Sequence, residues 1–411
     1  MKYHIYYVSM LMSEQIYLDS VRNHSPFNMA AQTFHQLVWK GLIADSRCNS
    51  FQALSGLYSS KHLFSSHQPE KNGISSFSYI PHVNIPFIKG VSRSFFAFIK
   101  LFFMGLRHKA GESVMIVDPL LMFLLLPGIL CSKLFGIPIF LVVTDLLNFM
   151  SSSEKNDMTW IKKQNIKLFT WLCNKADGYI VLTPQMCDLI NKKHKPFLVM
   201  EGLTDILRDD DPVSARNDDK TASPRIIMYA GGIYNVYGVE LLIKAFLQAD
   251  LSNVQLHFYG WGDMVPELEE ICKNNPAIVF KGSVPHQAIL EAEKQATLLI
   301  NPRPAEKEFT KYSFPSKNLE YMASGTPLLA FMLPGIPEEY RDYMYIIEKN
   351  DPSSLARDLE KIMGMPQEEL NSFGARTRSY VLKNKNCITQ ADRMLSFIES
   401  TLQKEGRRFC A

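Results

Sequence analysis

Short runs of consecutive apolar residues, separated by longer segments of mixed polarity, recur along most of the chain. In the first half, such runs have the length of strands that are buried on both faces, at 114–117, 139–143, 178–182 and 197–200. A segment with helical length and composition, 120–135, lies between the first two. This alternation of strands and helices predicts a parallel sheet covered by helices, which is an α/β fold.

The alternation stops at 208–223, where charged, proline and small polar residues predict a linker. It then resumes with strand-like runs at 225–229, 254–259, 278–281, 298–300 and 327–331. We therefore expect two doubly wound domains of similar size, the first over 1–207 and the second over 224–387.

Composition narrows the class of protein. The chain has 411 residues, of which 46% are hydrophobic and 21% charged, as expected for a large soluble enzyme with two or three domains. Its seven cysteines show no Cys-x-x-Cys spacing, so we expect neither a zinc site nor a disulfide framework, and a reducing cytosol. The first residues form a strand-like run and lack the features of a signal peptide. The sequence also shows no convincing Asp-x-Asp metal motif, so we expect no metal.

The most apolar region, 114–147, is too short for a membrane span. Its longest uncharged interval has 14 residues and contains Pro127 and Gly128, whereas about 18 to 20 residues are needed to cross a bilayer. We therefore interpret this region as buried strands and a helix.

Positive charge is concentrated in the first domain, where residues 1–207 include 20 Lys or Arg and 13 Asp or Glu. Four of these cations, at Lys89, Arg93, Lys100 and Arg107, lie within about 40° of one another on an α-helix. Many of the residues between them are apolar. Such a helix, over 87–109, is compatible either with burial in its own domain or with contact to an anionic membrane surface.

The most informative chemistry lies in the segment Tyr312–Pro327. Pro315 suits the first turn of a helix and Gly325 its end, so we predict a helix over 315–324. Lys317 and Glu320 are three residues apart and share one face of it. A lysine near the positive end of a helix dipole is unfavourable unless an anion such as phosphate binds there. The alternative is a solvated lysine in a loosely capped helix.

A second motif, at 226–246, follows the order strand, glycine turn, helix. Gly231 and Gly232 would let the backbone approach a ligand closely, and the helix start near Gly238 would attract negative charge. Two glycines alone are a weak signal, and an ordinary strand-to-helix turn is the alternative.

The two motifs together resemble those of family-4 retaining glycosyltransferases, and the similarity extends over about the last half of the chain. It implies the GT-B fold, in which two Rossmann-like doubly wound domains face a cleft. It also implies that Glu320 binds the donor ribose, and that a C-terminal helix, 388–411, completes the first domain. One subgroup of the family has the same Phe-Pro-Ser-Lys sequence at 314–317.

The chain departs from the family pattern at three positions. Tyr312 replaces a glutamate, so we expect Ser313 or the backbone near Phe314 to hold the donor sugar instead. Ser316 is a further candidate for donor binding. Gly232 and Tyr237 replace the arginine and lysine that hold the donor diphosphate. We predict that Arg303, which follows a strand, restores a pair of positive charges together with Lys317. A surface arginine that caps a loop is the alternative.

In the first domain the candidates are fewer. Asp145 follows a buried strand and is expected either to orient the acceptor or reacting sugar, or to cap the next helix. His24 and Asn28 lie in the first strand-to-helix loop and are candidates for the acceptor side.

The resemblance implies transfer of a sugar, with retention of configuration, from a nucleoside diphosphate sugar to a saccharide or polyprenyl-linked acceptor during cell-surface polysaccharide synthesis. The expected setting is the cytoplasm, with peripheral contact to the inner membrane leaflet. No cofactor and no nucleic-acid partner are expected. Two alternatives stay open: sugar-nucleotide epimerisation or phosphorolysis, and a degenerate domain that binds a sugar nucleotide or serves as a partner subunit.

Overall fold

The structure is a computed structural model that describes residues 3–22, 29–56, 64–65, 67–86, 88–107, 111–146, 160–205, 224–404 and 406. The chain folds into two compact units. The N-terminal unit comprises Met1–Leu203 together with Cys387–Ala411, and the C-terminal unit comprises Thr204–Asn386. The sequence predicted that the first domain ends at 207 and that the returning helix begins at 388, whereas the units divide after Leu203 and before Cys387. The predicted linker, 208–223, lies outside the described residues.

In chain order, the strands are β1 Tyr3–Ser9, β2 Cys48–Ser55, β3 Phe64–Ser65, β4 Glu70–Asn72, β5 Ser75–Tyr79, β6 His82–Val83, β7 Ser113–Val117, β8 Ile139–Val143, β9 Gly178–Val181, β10 Phe197–Val199, β11 Arg225–Gly232, β12 Val254–Trp261, β13 Ile278–Gly282, β14 Leu298–Asn301, β15 Leu328–Ala330 and β16 Tyr345–Ile346. The helices are α1 Glu14–Arg22, α2 Met29–Ala44, α3 Ile88–Arg107, α4 Met122–Phe135, α5 Trp160–Cys173, α6 Pro184–Ile190, α7 Val239–Gln248, α8 Val265–Asn274, α9 His286–Gln295, α10 Ser316–Ser324, α11 Pro352–Met363, α12 Gln367–Asn384 and α13 Cys387–Lys404.

In the N-terminal unit the described strands form a sheet with the order β10-β9-β8-β7-β1-β2-β5-β4, in which only the β4–β5 pair is antiparallel. Strands β7 and β8 are buried along their whole length, as the apolar runs predict. The C-terminal helix α13 packs against α2, so the last helix is part of this unit.

In the C-terminal unit the described strands form a parallel sheet with the order β13-β12-β11-β14-β15-β16. The chain runs outward from β11 through β12 and β13, and then returns to β14 on the other side of β11. The strand order therefore reverses between β11 and β14. Ligands of open α/β sheets bind at such a point, outside the carboxyl ends of the two strands.

The predicted strands of both halves are confirmed, with differences of one to three residues at their ends. The helix predicted over 315–324 is α10. Its end is explained by Gly325, which has a left-handed φ of 79° and donates its N–H to the Met322 carbonyl. No helix in the described part of the chain is long and apolar enough to cross a membrane.

The basic helix predicted over 87–109 is α3, but its cations do not form one exposed stripe. Arg93 is buried, and its guanidinium lies 5.1 Å from the centre of the Phe123 ring. Lys100 is half-buried, and burial lowers its pKa. Burial of Arg93 agrees with one of the two arrangements that the sequence left open. The 40° stripe borders the face of α3 that packs against α4, and contact with the Phe123 ring compensates the buried guanidinium.

Packing of α13 on α2 depends on a glycine. A Cβ at Gly41 would lie 2.1 Å from the Cys387 carbonyl oxygen, whereas a Cβ at Gly90, on α3, would meet nothing within 4 Å. We expect Gly41→Ala to lower the free energy of unfolding by about 1 to 3 kcal/mol, because α13 must move away.

Gly90→Ala is the matched control, because it adds the same methyl group to a helix of the same unit. It is expected to leave stability unchanged or to raise it by up to about 1 kcal/mol. Thermal unfolding of the two variants beside the wild type distinguishes them, and equal midpoints would contradict close packing of α13 on α2.

Candidate functional site

Strands β11 and β14 are neighbours in the sheet, but they separate towards their carboxyl ends. Their pairing ends at Met228 and Leu299, so the last residues of β11 have no strand on that side. The gap is filled by the hydroxyl of Tyr321, which accepts a hydrogen bond from Ala230 N at 2.7 Å and donates one to Ala230 O at 3.0 Å. Because Tyr321 belongs to α10, this contact fixes α10 beside the end of β11.

A second contact fixes α10 to the end of β14. The side-chain amide of Asn301 donates to Asn318 Oδ1 at 2.6 Å. At the other end of the helix, the buried guanidinium of Arg378 donates to the Ala323 carbonyl, which satisfies one of the free carbonyls of the last turn. The first turn of α10 is therefore held where the two strands separate.

The predicted pair Lys317 and Glu320 forms on this helix. Lys317 Nζ is hydrogen-bonded to Glu320 Oε1, and His286 Nε2 lies 3.8 Å from Glu320 Oε2. Lys317 is not the solvated lysine of the alternative interpretation, because its ammonium also lies 3.7 Å from an oxygen of Glu293.

Glu293, on α9, was missed by the sequence analysis. Its side chain is 0% exposed, and neither carboxyl oxygen has a hydrogen-bond partner among the described residues. Burial, and next the negative charge of Glu320, raise the pKa of Glu293 to about 9, against the opposing effect of Lys317. The carboxyl group is therefore protonated at neutral pH.

Glu320 has the opposite shift. Burial acts to raise its pKa, but the Lys317 ammonium, together with Glu293 and His286, outweighs burial and holds the pKa below its usual range. The cluster therefore contains one cation, one carboxylate and one neutral carboxyl group. Two carboxyl groups this close to one lysine avoid repulsion because only one of them is ionised.

Arg303 follows β14 and lies among aromatic rings. Its guanidinium carbon is 4.6 Å from the centre of the Phe309 ring and 5.5 Å from that of Tyr237, and Nη2 donates to Ser313 Oγ at 3.3 Å. The arginine is therefore held in contact with two aromatic rings and reaches the segment that leads into α10.

The glycines of the β11 loop lie where they were predicted, at the end of that strand, and the loop is tightly packed. A Cβ at Gly238 would lie 2.0 Å from the Pro302 carbonyl oxygen, and Gly238 has a φ of 80°. The loops after β11 and β14 therefore touch through their backbones, which only glycine allows.

The predicted donor contacts at the start of α10 differ in exposure. Ser316 is exposed at the first position of the helix, and Ser313 is half-buried and bonded to Arg303. The Phe314 side chain is buried, with its ring 5.4 Å from that of Tyr340. The Phe314 side chain is thus not available to a ligand.

In the N-terminal unit, Asp145 is half-buried after β8, and its Oδ1 accepts a hydrogen bond from Leu146 N at 2.7 Å. His24 and Asn28 lie outside the described residues. The roles predicted for these three residues therefore stay predictions.

A buried polar cluster in this unit was missed as well. The Tyr7 hydroxyl and His35 Nδ1 are 2.6 Å apart, and His35 Nε2 lies 3.1 Å from Asp118 Oδ2. All three side chains are buried, so the cluster joins β1, α2 and the end of β7 rather than contacting a substrate. Its members are far apart in sequence, and only the position of Asp118 directly after a strand gave a signal.

No group of three or more His, Cys, Asp or Glu side chains in the described ranges is arranged to hold a metal ion. The features at the ends of β11 and β14 suit an anionic ligand instead, with Lys317 and Arg303 as cations and Glu320 as an acceptor for hydroxyl groups.

Comparison with known proteins agrees with this geometry. Residues 224–364 match the family model described as Glycosyl transferases group 1, which covers most of the C-terminal unit. The solved structure of Anabaena HepE in complex with UDP is similar over 97% of this chain and 100% of its own, with a TM-score of 0.63 and 13% identity.

Sucrose-phosphate synthase from Thermosynechococcus elongatus is similar over 98% of this chain and 100% of its own, with a TM-score of 0.64 and 15% identity. The lipopolysaccharide outer core galactosyltransferase WaaB is similar over 97% and 100%, with a TM-score of 0.63 and 14% identity. The fold is GT-B. No curated protein sequence matches the chain. At these identities the likeness establishes the two Rossmann-like units of GT-B.

The protonated Glu293 makes stability depend on pH. Its ordinary pKa is 4.5 and its folded value about 9, so between these values the folded state holds a proton that the unfolded state releases. The stability that Glu293 contributes is complete below about pH 4.5 and is lost as pH rises towards about 9, by at most about 1.4 kcal/mol per pH unit.

Glu293→Gln removes this dependence while keeping a neutral side chain of nearly the same shape. Urea unfolding of both proteins at pH 5.5, 7 and 8.5 should therefore show the variant gaining stability relative to the wild type as pH rises. Glu291→Gln, which changes an exposed residue of the same helix, should follow the wild type. Parallel curves for wild type and Glu293→Gln would contradict a neutral Glu293.

Proposed function

We propose that this GT-B protein is a retaining glycosyltransferase, which moves a sugar from a nucleoside diphosphate sugar to a saccharide or lipid-linked acceptor. The C-terminal unit binds the donor. The proposal rests mainly on one observation: a lysine–glutamate pair and an arginine lie at the two strand ends where the order of the C-terminal sheet reverses.

The donor diphosphate carries about two negative charges, which Arg303 and Lys317 neutralise in the proposed complex. Ser313 accepts a hydrogen bond from Arg303 and lies in the segment that leads into α10, four residues before Lys317. The N-terminal amides of α10 add partial positive charge. Stabilising charge on the departing diphosphate is the largest contribution that such a site makes to catalysis, and in this proposal it needs no metal ion.

The family that this chain resembles has two cations at the positions that correspond to Gly232 and Tyr237. The packing of Arg303 suggests how their positive charge is replaced. The guanidinium lies 5.5 Å from the Tyr237 ring, so an arginine from the β14 loop supplies positive charge beside the position that lacks it. Stacking on Phe309 restricts the arginine further and lowers the entropy lost on binding.

Glu320 is assigned to the donor ribose, whose hydroxyl groups donate to an ionised carboxylate. In the structure Glu320 is bonded to Lys317. Glu320 is ionised in this arrangement because its neighbours, first of all Lys317, hold its pKa below the usual range, while burial keeps the proton on Glu293. Gly231, Gly232, Ser316 and the backbone at Phe314 complete the proposed donor contacts.

In this proposal the acceptor binds to the N-terminal unit. Asp145 is the candidate that orients the acceptor or the reacting sugar, with His24 and Asn28 as further candidates. Retention of configuration and a role in cell-surface polysaccharide synthesis follow from the family resemblance alone. A lipid-linked acceptor would place the enzyme at the cytoplasmic face of a membrane as a peripheral protein.

The compared structures suggest which donors to test first. HepE was solved in complexes with UDP and with UDP-glucose, and the pneumococcal O-GlcNAc transferase GtfA, with a TM-score of 0.50 to this chain, in a complex with UDP and GlcNAc. UDP-sugars are therefore the first choice, and the corresponding GDP- and ADP-sugars serve as comparison.

The proposal is tested by thermal unfolding with a panel of nucleotide sugars, followed by transfer assays with radiolabelled donor. A true donor at 100 times its Kd stabilises the fold by about 2.7 kcal/mol. Consumption of donor only when an acceptor is supplied supports transfer. Isomerised donor without acceptor supports an epimerase, and saturable binding without turnover supports a degenerate binding domain.

Substitution of Arg303 measures its contribution to donor binding. We expect Arg303→Ala to weaken binding of the nucleoside diphosphate by about 1.5 to 3 kcal/mol, because a hydrogen bond to a charged group is lost. Arg341→Ala removes an exposed arginine of the same unit and should leave binding unchanged. Calorimetric titration of both variants gives the values, and equal affinity for all three proteins would remove Arg303 from the site.

A further inference from the structure

The outer face of α3 is unusually apolar for a surface. Ile88, Val91, Phe95 and Leu106 lie within about 60° of one another on this helix, and all are exposed, Val91 by 71%. Phe103 is exposed beside them. The opposite side of the helix packs on the unit, so α3 has one buried face and one apolar face in water.

The two neighbouring helices continue this surface. Helix α4 contacts both α3 and α5, and the Phe102 and Phe135 rings are 5.4 Å apart between α3 and α4. The exposed apolar side chains are Leu126, Leu130 and Leu134 on α4, and Trp160, Leu168 and Trp171 on α5. Among the described residues, α3, α4 and α5 carry eleven of the eighteen large apolar side chains that are strongly exposed. We call this surface the α3–α5 face.

All the charged side chains of these three helices are basic. Together α3, α4 and α5 contain eight Lys or Arg and neither Asp nor Glu. Arg107, Lys133, Lys163 and Lys167 are exposed, and Lys89 and Lys100 are half-buried at the edge of the apolar stripe. An apolar surface with cations and no anions is complementary to a surface that presents negative charge above an apolar layer.

An anionic lipid bilayer has this structure. Apolar and aromatic side chains enter the boundary between headgroups and acyl chains, while Lys and Arg remain at the lipid phosphates. A second copy of the chain is a poorer partner, because a symmetric contact would bring two positive surfaces together. We propose that the N-terminal unit binds the surface of anionic membranes through the α3–α5 face.

This inference extends the proposed function but does not depend on it. If the acceptor is lipid-linked, binding by this face would keep the enzyme at the surface where the acceptor is found. Lipid binding is measured without any sugar donor, so the failure of one proposal is distinguishable from the failure of the other.

The experiment is co-sedimentation of the full chain with vesicles of phosphatidylcholine containing 30% phosphatidylglycerol, and with vesicles of phosphatidylcholine alone. We expect binding to the anionic vesicles at 0.1 M salt, at least about tenfold weaker binding to the neutral ones, and weaker binding at 0.5 M salt.

Two variants separate the apolar and the charged parts of the surface. The triple change Val91→Ser, Phe95→Ser and Leu106→Ser, and the double change Lys163→Glu and Lys167→Glu, should each lower anionic-vesicle binding by about tenfold or more. Leu247→Ser, an exposed leucine of the C-terminal unit, is the matched control and should bind like the wild type. All substituted residues are exposed, and thermal unfolding verifies that each variant is folded.

Three results would overturn the proposal. The first is that the wild type does not sediment with anionic vesicles. The second is that both variants bind these vesicles as tightly as the wild type. The third is that the wild type forms a stable dimer without lipid and that the triple change dissociates this dimer. The last result would assign the face to a second copy of the chain.

Discussion

The geometry of the candidate site depends on a gap between two strands and on the hydroxyl group that fills it. Beyond Met228, β11 has no strand on its β14 side, and its free backbone groups at Ala230 would be buried without partners. Tyr321 satisfies both of them with one oxygen atom. Because Tyr321 is one residue from Glu320 and four from Lys317, the same contact that closes the sheet also places the charged pair beside the strand ends.

Local sequence determined most of the fold. Continuous apolar runs predicted the inner strands of both sheets to within a few residues, because strands buried on both faces need no polar positions. The limits of α10 followed from Pro315 and Gly325, whose backbone preferences act at single positions. The two-residue strands β3 and β6 had no such signal, and the strand order that creates the gap depends on contacts between distant segments.

The sequence predicted those residues of the candidate site that are close together in the chain. It did not reveal the residue that only the tertiary structure brings there. Lys317 and Glu320 are three apart on one helix, so helical geometry alone pairs them. Glu293 looked like one more charged residue in the polar sequence of α9, and only the tertiary structure shows that it is buried against Lys317. The burial of Arg93 could not be decided from the sequence for the same reason, since periodicity gives the angular position of a side chain but not the face that the rest of the unit covers.

The buried cluster limits which charge states the site can adopt. With Glu293 neutral, Lys317 and Glu320 balance each other, so the resting cluster has no net charge in a place where an isolated charge would be costly. A second ionised carboxylate would leave net negative charge where the proposed diphosphate must bind. Because burial keeps Glu293 neutral, the cluster has no net negative charge that would repel an anion at this position. In the proposed site, Arg303, which contacts two aromatic rings after the neighbouring strand, adds the positive charge that the lysine–glutamate pair lacks.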